Sequence, residues 1–145
     1  MFQRDYLVRQ INQLTQILAQ IVFRKQQGQH DAALDAIRHT GEQFLGLDLH
    51  AAEALTSEAL QEAMKAKNAE DAEQAALVAE LLHHQGDCFA AQHLAGPAEA
   101  SYRLTLHLYL DLLTSGQAAP ADLADRIDAL LKPVNLFALS PGTLH

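Results

Sequence analysis

Residues 97–115 read PAEASYRLTLHLYLDLLTS, and the fold turns on whether this run is a strand or a helix. Leu104, Leu106, Leu108, Leu110 and Leu112 alternate with polar or smaller residues, which is the two-residue period of a half-buried strand. Nothing else in the chain offers such a strand a partner, and alone it would leave its amides and carbonyls unpaired. As a helix, the same run is apolar nearly all round, which predicts the buried centre of the domain. Gly96-Pro97 supplies a break and a helix start, because a proline at the first helical position gives up no hydrogen bond that the helix would have made. Glu99 and Arg103, four residues apart, support the same helix from its surface. The expectation is therefore all-α, with a helix from Pro97 to about Ser115.

The segments on either side follow the same rules. Upstream, a helix from about Glu70 to Leu94 presents Leu77, Val78, Leu81, Leu82, Cys88 and Phe89, with Asn68 as its cap. Residues 47–69 leave one helix or two open, with Thr56 or Ser57 capping a run through Leu60 and Met64 to about Lys67. At the start, Leu7, Ile11, Leu14, Leu18 and Ile21 recur at spacings of 4, 3, 4 and 3 between glutamines, an amphipathic helix with a heptad-like seam from Gln3 to about Gln27. Gly28 ends it, and Asp31 starts a second helix with Ala33, Leu34, Ile37 and Phe44 that closes near Gly46. So short a connection folds the pair antiparallel. Downstream, Gly116 and Pro120 precede a last helix, Ala121 to Leu131, with Asp122 and Arg126 one turn apart. Pro133 stops it, and an apolar tail at 133–145 is expected to pack back on the body.

Composition agrees with about six helices in a single domain, residues 1–145. A hydrophobic share of 49% with 7 glycines and 4 prolines is that of an ordered chain, and the absence of tryptophan leaves a core of mostly Leu, Ala and Ile. At this length folding removes roughly two-thirds of the unfolded surface from water, enough to need no staples. The one cysteine, Cys88, has no intramolecular disulfide partner. The opening MFQRDYLVRQ lacks the apolar core of a signal peptide, and no run approaches the roughly 18 apolar residues that span a bilayer, so the expected setting is the reducing cytoplasm without a membrane. A formal charge of −8 argues against nucleic acid. That charge is uneven: residues 1–40 hold five basic and three acidic side chains, the remainder five basic and 15 acidic.

Two stretches resemble tetratricopeptide repeats, whose helical hairpins place small residues where paired helices touch. In residues 79–112 the pattern is carried by Leu82, Gln85-Gly86, Phe89, Ala98, Tyr102 and Thr105-Leu106; in residues 14–47 it is carried by Gly28, Ala33 and Ile37. Thr105 stands where the repeat has alanine, and Arg24 where it has an aromatic. The opening FQRDYLVRQINQLTQILAQIVF, with GQHDAALDAI and FLGLD, also resembles an uncharacterised family of small bacterial proteins of unknown function. That resemblance implies an all-helical fold and brings no catalytic residues.

The chain carries no phosphate-cradling glycine loop, dinucleotide fingerprint, serine elbow or His-Glu-x-x-His, so no catalytic residue and no cofactor is expected. One cluster suggests chemistry: His83, His84, Asp87, Cys88 and His93. His84 and Cys88 fall one helical turn apart, imidazole and thiolate suit zinc, and His107 could join from a facing helix as a third ligand. The plainer reading makes Cys88 a small buried hydrophobe and the histidines surface or core polar groups. Glu70, Asp71 and Glu73 read as compensation of a helix N-terminus, and Arg4, Arg9, Arg24 and Lys25 as a solvated face. The seam of Leu7, Ile11, Leu14, Leu18 and Ile21 is either an ordinary core-facing stripe or, with Phe2, Tyr6, Val8, Ile17 and Val22 beside it, a surface for a second copy or another protein. The functional expectation is a non-enzymatic interaction module; the alternative is a metal- or small-ligand-binding protein using residues 83–93.

Overall fold

Leu104, Leu108, Tyr109 and Leu112 fall on one side of a continuous helix and are buried, while Leu110 and Leu113 stand in solvent. The run that alternates in sequence is therefore helical. A computed structural model describes residues 2–64, 69–114 and 122–128. Its helices are α1 (Phe2–Gln26), α2 (His30–Leu45), α3 (Ser57–Ala63), α4 (Ala69–Ala91) and α5 (Ala95–Thr114), with a further helical stretch at 123–128. There is no strand among the described residues, and none of the helices is long and apolar enough to cross a membrane. The expected Asn68 cap, the Gly116 and Pro120 break, and the tail at 133–145 lie outside the described residues.

The ends of the helices follow from backbone chemistry. Gly28, at φ +77°, takes the left-handed conformation after α1; its N–H bonds the Lys25 carbonyl, and that of Gln29 bonds Arg24. Gly46 does the same after α2 at φ +66°. His93 occupies the corresponding position after α4, at φ +62°, with its N–H on Ala90 and that of Leu94 on Phe89. A β-carbon at such a position costs energy that glycine avoids. Thr56 caps α3, its hydroxyl accepting from the Ala59 N–H at 3.0 Å. Two expected helix starts move. Asp31 is not the cap of α2 but sits in its first turn, accepting from the Gln92 side chain at 2.6 Å. Pro97 lies two residues inside α5, where the first-turn amides still have no partner to lose.

The centre of the domain is α4 rather than α5, because α4 packs against α1, α2 and α5 while α5 rests chiefly on α4. Ala72, Ala75, Ala76 and Ala79 are all buried, and such small side chains let neighbours approach α4 from several directions. Around them Leu14, Leu18 and Ile21 of α1, Ile37 of α2 and Leu104 and Leu108 of α5 close one core. Residues 47–56, undecided from sequence, are fixed by the buried Leu49 and Ala52. Gly41 admits that loop, since a β-carbon there would come within 2.6 Å of Leu49 Cγ. The wholly buried Gln85 ties it to the helices: its Nε2 donates to the Leu49 carbonyl at 2.7 Å and to Ser101 Oγ at 3.0 Å.

Candidate functional site

The helical spacing that buries the seam of α1 continues one turn past Ile21 and lands on Lys25. The stem of Lys25 therefore runs inward toward α4, and its ammonium meets His84 and Asp87, one turn apart on that helix. Lys25 Nζ lies 2.8 Å from His84 Nδ1 and 2.8 Å from Asp87 Oδ2. From the other side of α4, the hydroxyl of Tyr102 on α5 donates to Asp87 Oδ1 at 2.6 Å. Asp87 thus joins three helices through its two carboxylate oxygens. Gly86 makes the Tyr102 contact possible, because a β-carbon at 86 would sit 2.6 Å from the ring's Cε1. His83 completes the cluster, stacked on His84 with ring centroids 5.9 Å apart and edge-on to Tyr102 at 5.8 Å.

The electrostatics follow from this crowding. Burial pushes the Asp87 carboxyl up, but hydrogen bonds from Lys25 and Tyr102 outweigh it and hold the group below its ordinary value. Burial, reinforced by the Lys25 charge, pushes His84 down to about 4, and burial lowers His83 as well. Since the Lys25 ammonium can only donate, His84 Nδ1 must be unprotonated and the ring hydrogen must lie on Nε2. Tyr102 is pushed up by burial and by its bond to Asp87. The side chains of Lys25 and Asp87 keep 21% and 32% of their surface, so water partly screens the pair. In such a partly desolvated ion pair, removing one partner costs more than forming the pair gains. A second, smaller link joins Arg126 to Glu80 of α4 at 2.6 Å and to Asp122 at 3.1 Å.

The metal set drawn from the sequence does not assemble. His84 is engaged with Lys25; Cys88 is fully buried among core residues, with its thiol pushed up by burial to about 11; His107 shares a hydrogen bond with Ser57 of α3. No three His, Cys, Asp or Glu side chains gather to hold an ion among the described residues. Helical spacing placed His84 and Cys88 on neighbouring positions, but α5 presents His107 toward α3. His93 serves as the left-handed terminus of α4. Lys25, grouped from sequence with a solvated face, instead belongs to the network, and Tyr102 was singled out only for packing. The continued seam was the signal for Lys25; no spacing rule pairs Tyr102 with Asp87.

The interaction stripe needs the same correction. Ile11, Leu14, Leu18 and Ile21 are buried within the chain and Leu7 is half-buried, so that stripe is spent on the domain's own packing. Among the described residues, the large apolar side chains that α1 leaves in solvent are Tyr6 at 58% exposure, Val8 at 42% and Phe23 at 60%. Two shallow clefts run beside these rings. One is lined by Tyr6, Arg9, Gln10 and Gln13 with Gln43 and Phe44 of α2, the other by Ala19, Gln20, Phe23, Arg24 and Gln29.

A family model described as a family of unknown function (DUF6483) matches residues 1–90. No curated protein matches the chain, and no solved structure matches it.

Proposed function

We propose that this chain, which belongs to the family of unknown function DUF6483, is a non-enzymatic module that binds another protein, or a second copy of itself, through the outward side of its helical hairpins. One observation carries the reading. His84 and Asp87 of α4 are engaged with α1 and α5, whereas α1 holds Tyr6 and Phe23 mostly in water. Exposed aromatic side chains beside clefts are the kind of anchor that protein interfaces bury. The helix neighbours support the repeat-like part of the reading. The α1–α2 pair turns at Gly28, the α4–α5 pair turns at His93, and α4 packs on both members of the first pair, as stacked hairpins do. Tyr102 packed on Gly86 supplies the large-on-small contact expected within the second pair.

The test compares tagged wild type with a Tyr6→Ser, Phe23→Ser double variant of unchanged circular dichroism. Both are used for capture from native lysate with quantitative mass spectrometry, and for size-exclusion with light scattering. A protein partner or a dimer present with wild type and lost with the double variant is the expected result. Capture indifferent to the substitutions, or a monomer that retains nothing, overturns the proposal.

A further inference from the structure

We infer that the partner segment taken by the outward side of α1 is acidic and bridges two aromatic–arginine clefts; this rests on the interaction reading above. The two clefts along α1 repeat one chemistry. Tyr6 and Arg9 line the first, Phe23 and Arg24 the second, and glutamines fill the intervening surface. Each therefore offers an apolar ring beside a guanidinium, the combination that receives a carboxylate flanked by an apolar side chain. Neither arginine makes an ion pair among the described residues, unlike Lys25, which Asp87 neutralises, and Arg126, which Glu80 and Asp122 neutralise. Their charge is available to a partner.

Distance sets the partner's reach. Tyr6 and Phe23 are separated by about 25 Å along a helix rising about 1.5 Å per residue, so one segment must be about that long to fill both clefts. The chain's overall charge of −8 does not forbid an acidic ligand. Charges farther apart than about 8 Å are largely screened at physiological ionic strength, so the arginines at the contact decide the sign.

The probe is a fluorescent amphipathic peptide of Glu and Leu as long as α1, with a Lys-for-Glu counterpart, titrated by anisotropy into the full chain at low and high salt. The Glu/Leu peptide is expected to bind, to weaken as salt rises, and to outbind the Lys/Leu peptide. Arg9→Glu with Arg24→Glu should weaken it by about tenfold or more, each single reversal by less, as befits two exposed charge contacts. Equal binding of the two peptides, indifference to the double reversal, or no binding of the Glu/Leu peptide overturns the inference. A lysate partner that is lost with Tyr6→Ser, Phe23→Ser yet is indifferent to salt and to the arginine reversals also overturns it, while leaving the interaction reading standing. Indifference to the aromatic substitutions as well removes both.

Discussion

Gly86→Ala separates helix propensity from helix packing, because the two predict opposite signs. Inside an α-helix, alanine is better than glycine by about 1 kcal/mol, so an isolated α4 would gain from the change. In the folded chain the new methyl would meet Tyr102 Cε1 at 2.6 Å, Cδ1 at 2.8 Å and Cζ at 3.0 Å, closer than carbon atoms tolerate. The ring has little room to retreat, being 2% exposed and tethered through its hydroxyl to Asp87. Overpacking costs about 1–3 kcal/mol, and losing a hydrogen bond to a charged carboxylate adds about 1.5–3 kcal/mol. After the propensity gain is subtracted, the variant should be destabilised by about 1.5–5 kcal/mol, measured by urea unfolding at neutral pH with m unchanged. In a Tyr102→Ala background the methyl has space, and the penalty should vanish. A Gly86→Ala variant as stable as wild type, or more stable, would refute the close approach of α4 and α5 at this point.

Acid should weaken the fold through its partly buried imidazoles, with Glu80, whose carboxyl burial pushes up, acting in the opposite direction. With His84 lowered to about 4 against an unfolded value of 6.5, its share of stability is full above pH 6.5 and is lost as pH falls from there through about 4. At about 1.4 kcal/mol per unit, this amounts to roughly 2 kcal/mol by pH 5, with His83 acting in the same direction and Asp87 only at lower pH. Urea midpoints at stepped pH should fall across that window in wild type and flatten in His84→Gln; equal slopes would count against the buried imidazole. His93→Gly should raise stability by about 1 kcal/mol in the same assay, since glycine takes φ +62° without strain. Cys88, buried and raised to about 11, should react with a thiol reagent at pH 8 only slowly in the native state and rapidly in urea; prompt native reaction would contradict its placement.

How much was legible depended on the range of the interaction involved. Helix ends set by one or two residues could be read directly, as at Gly28 and Gly46, because the backbone chemistry is local, while at α3 the sequence narrowed the cap to Thr56 or Ser57 and the structure chose Thr56. Asp31 shows the limit: its carboxylate has the right chemistry for a cap, but a side chain 61 residues away, Gln92, engages it in the first turn instead. The loop at 47–56 offered no local rule, because its anchors are Gly41 on α2 and Gln85 on α4.

What the sequence by itself determined is the helical class and the apolar stripe of α1, since the 4-and-3 spacing of Leu7, Ile11, Leu14, Leu18 and Ile21 admits one periodicity; that the stripe faces the domain's own core and not a partner was decided by the fold. Lys25, one turn farther along the same stripe, was grouped with a solvated face, and its inward course became plain only from its contacts with His84 and Asp87. Only the tertiary structure decided that α4 is the centre, that Asp87 joins Lys25 to Tyr102, and that His84, Cys88 and His107 remain apart. Periodicity fixes the rotation of a side chain about its own helix axis. Which helices then face one another depends on small residues such as Ala75, Ala79 and Gly86, whose close approaches link positions far apart in the chain.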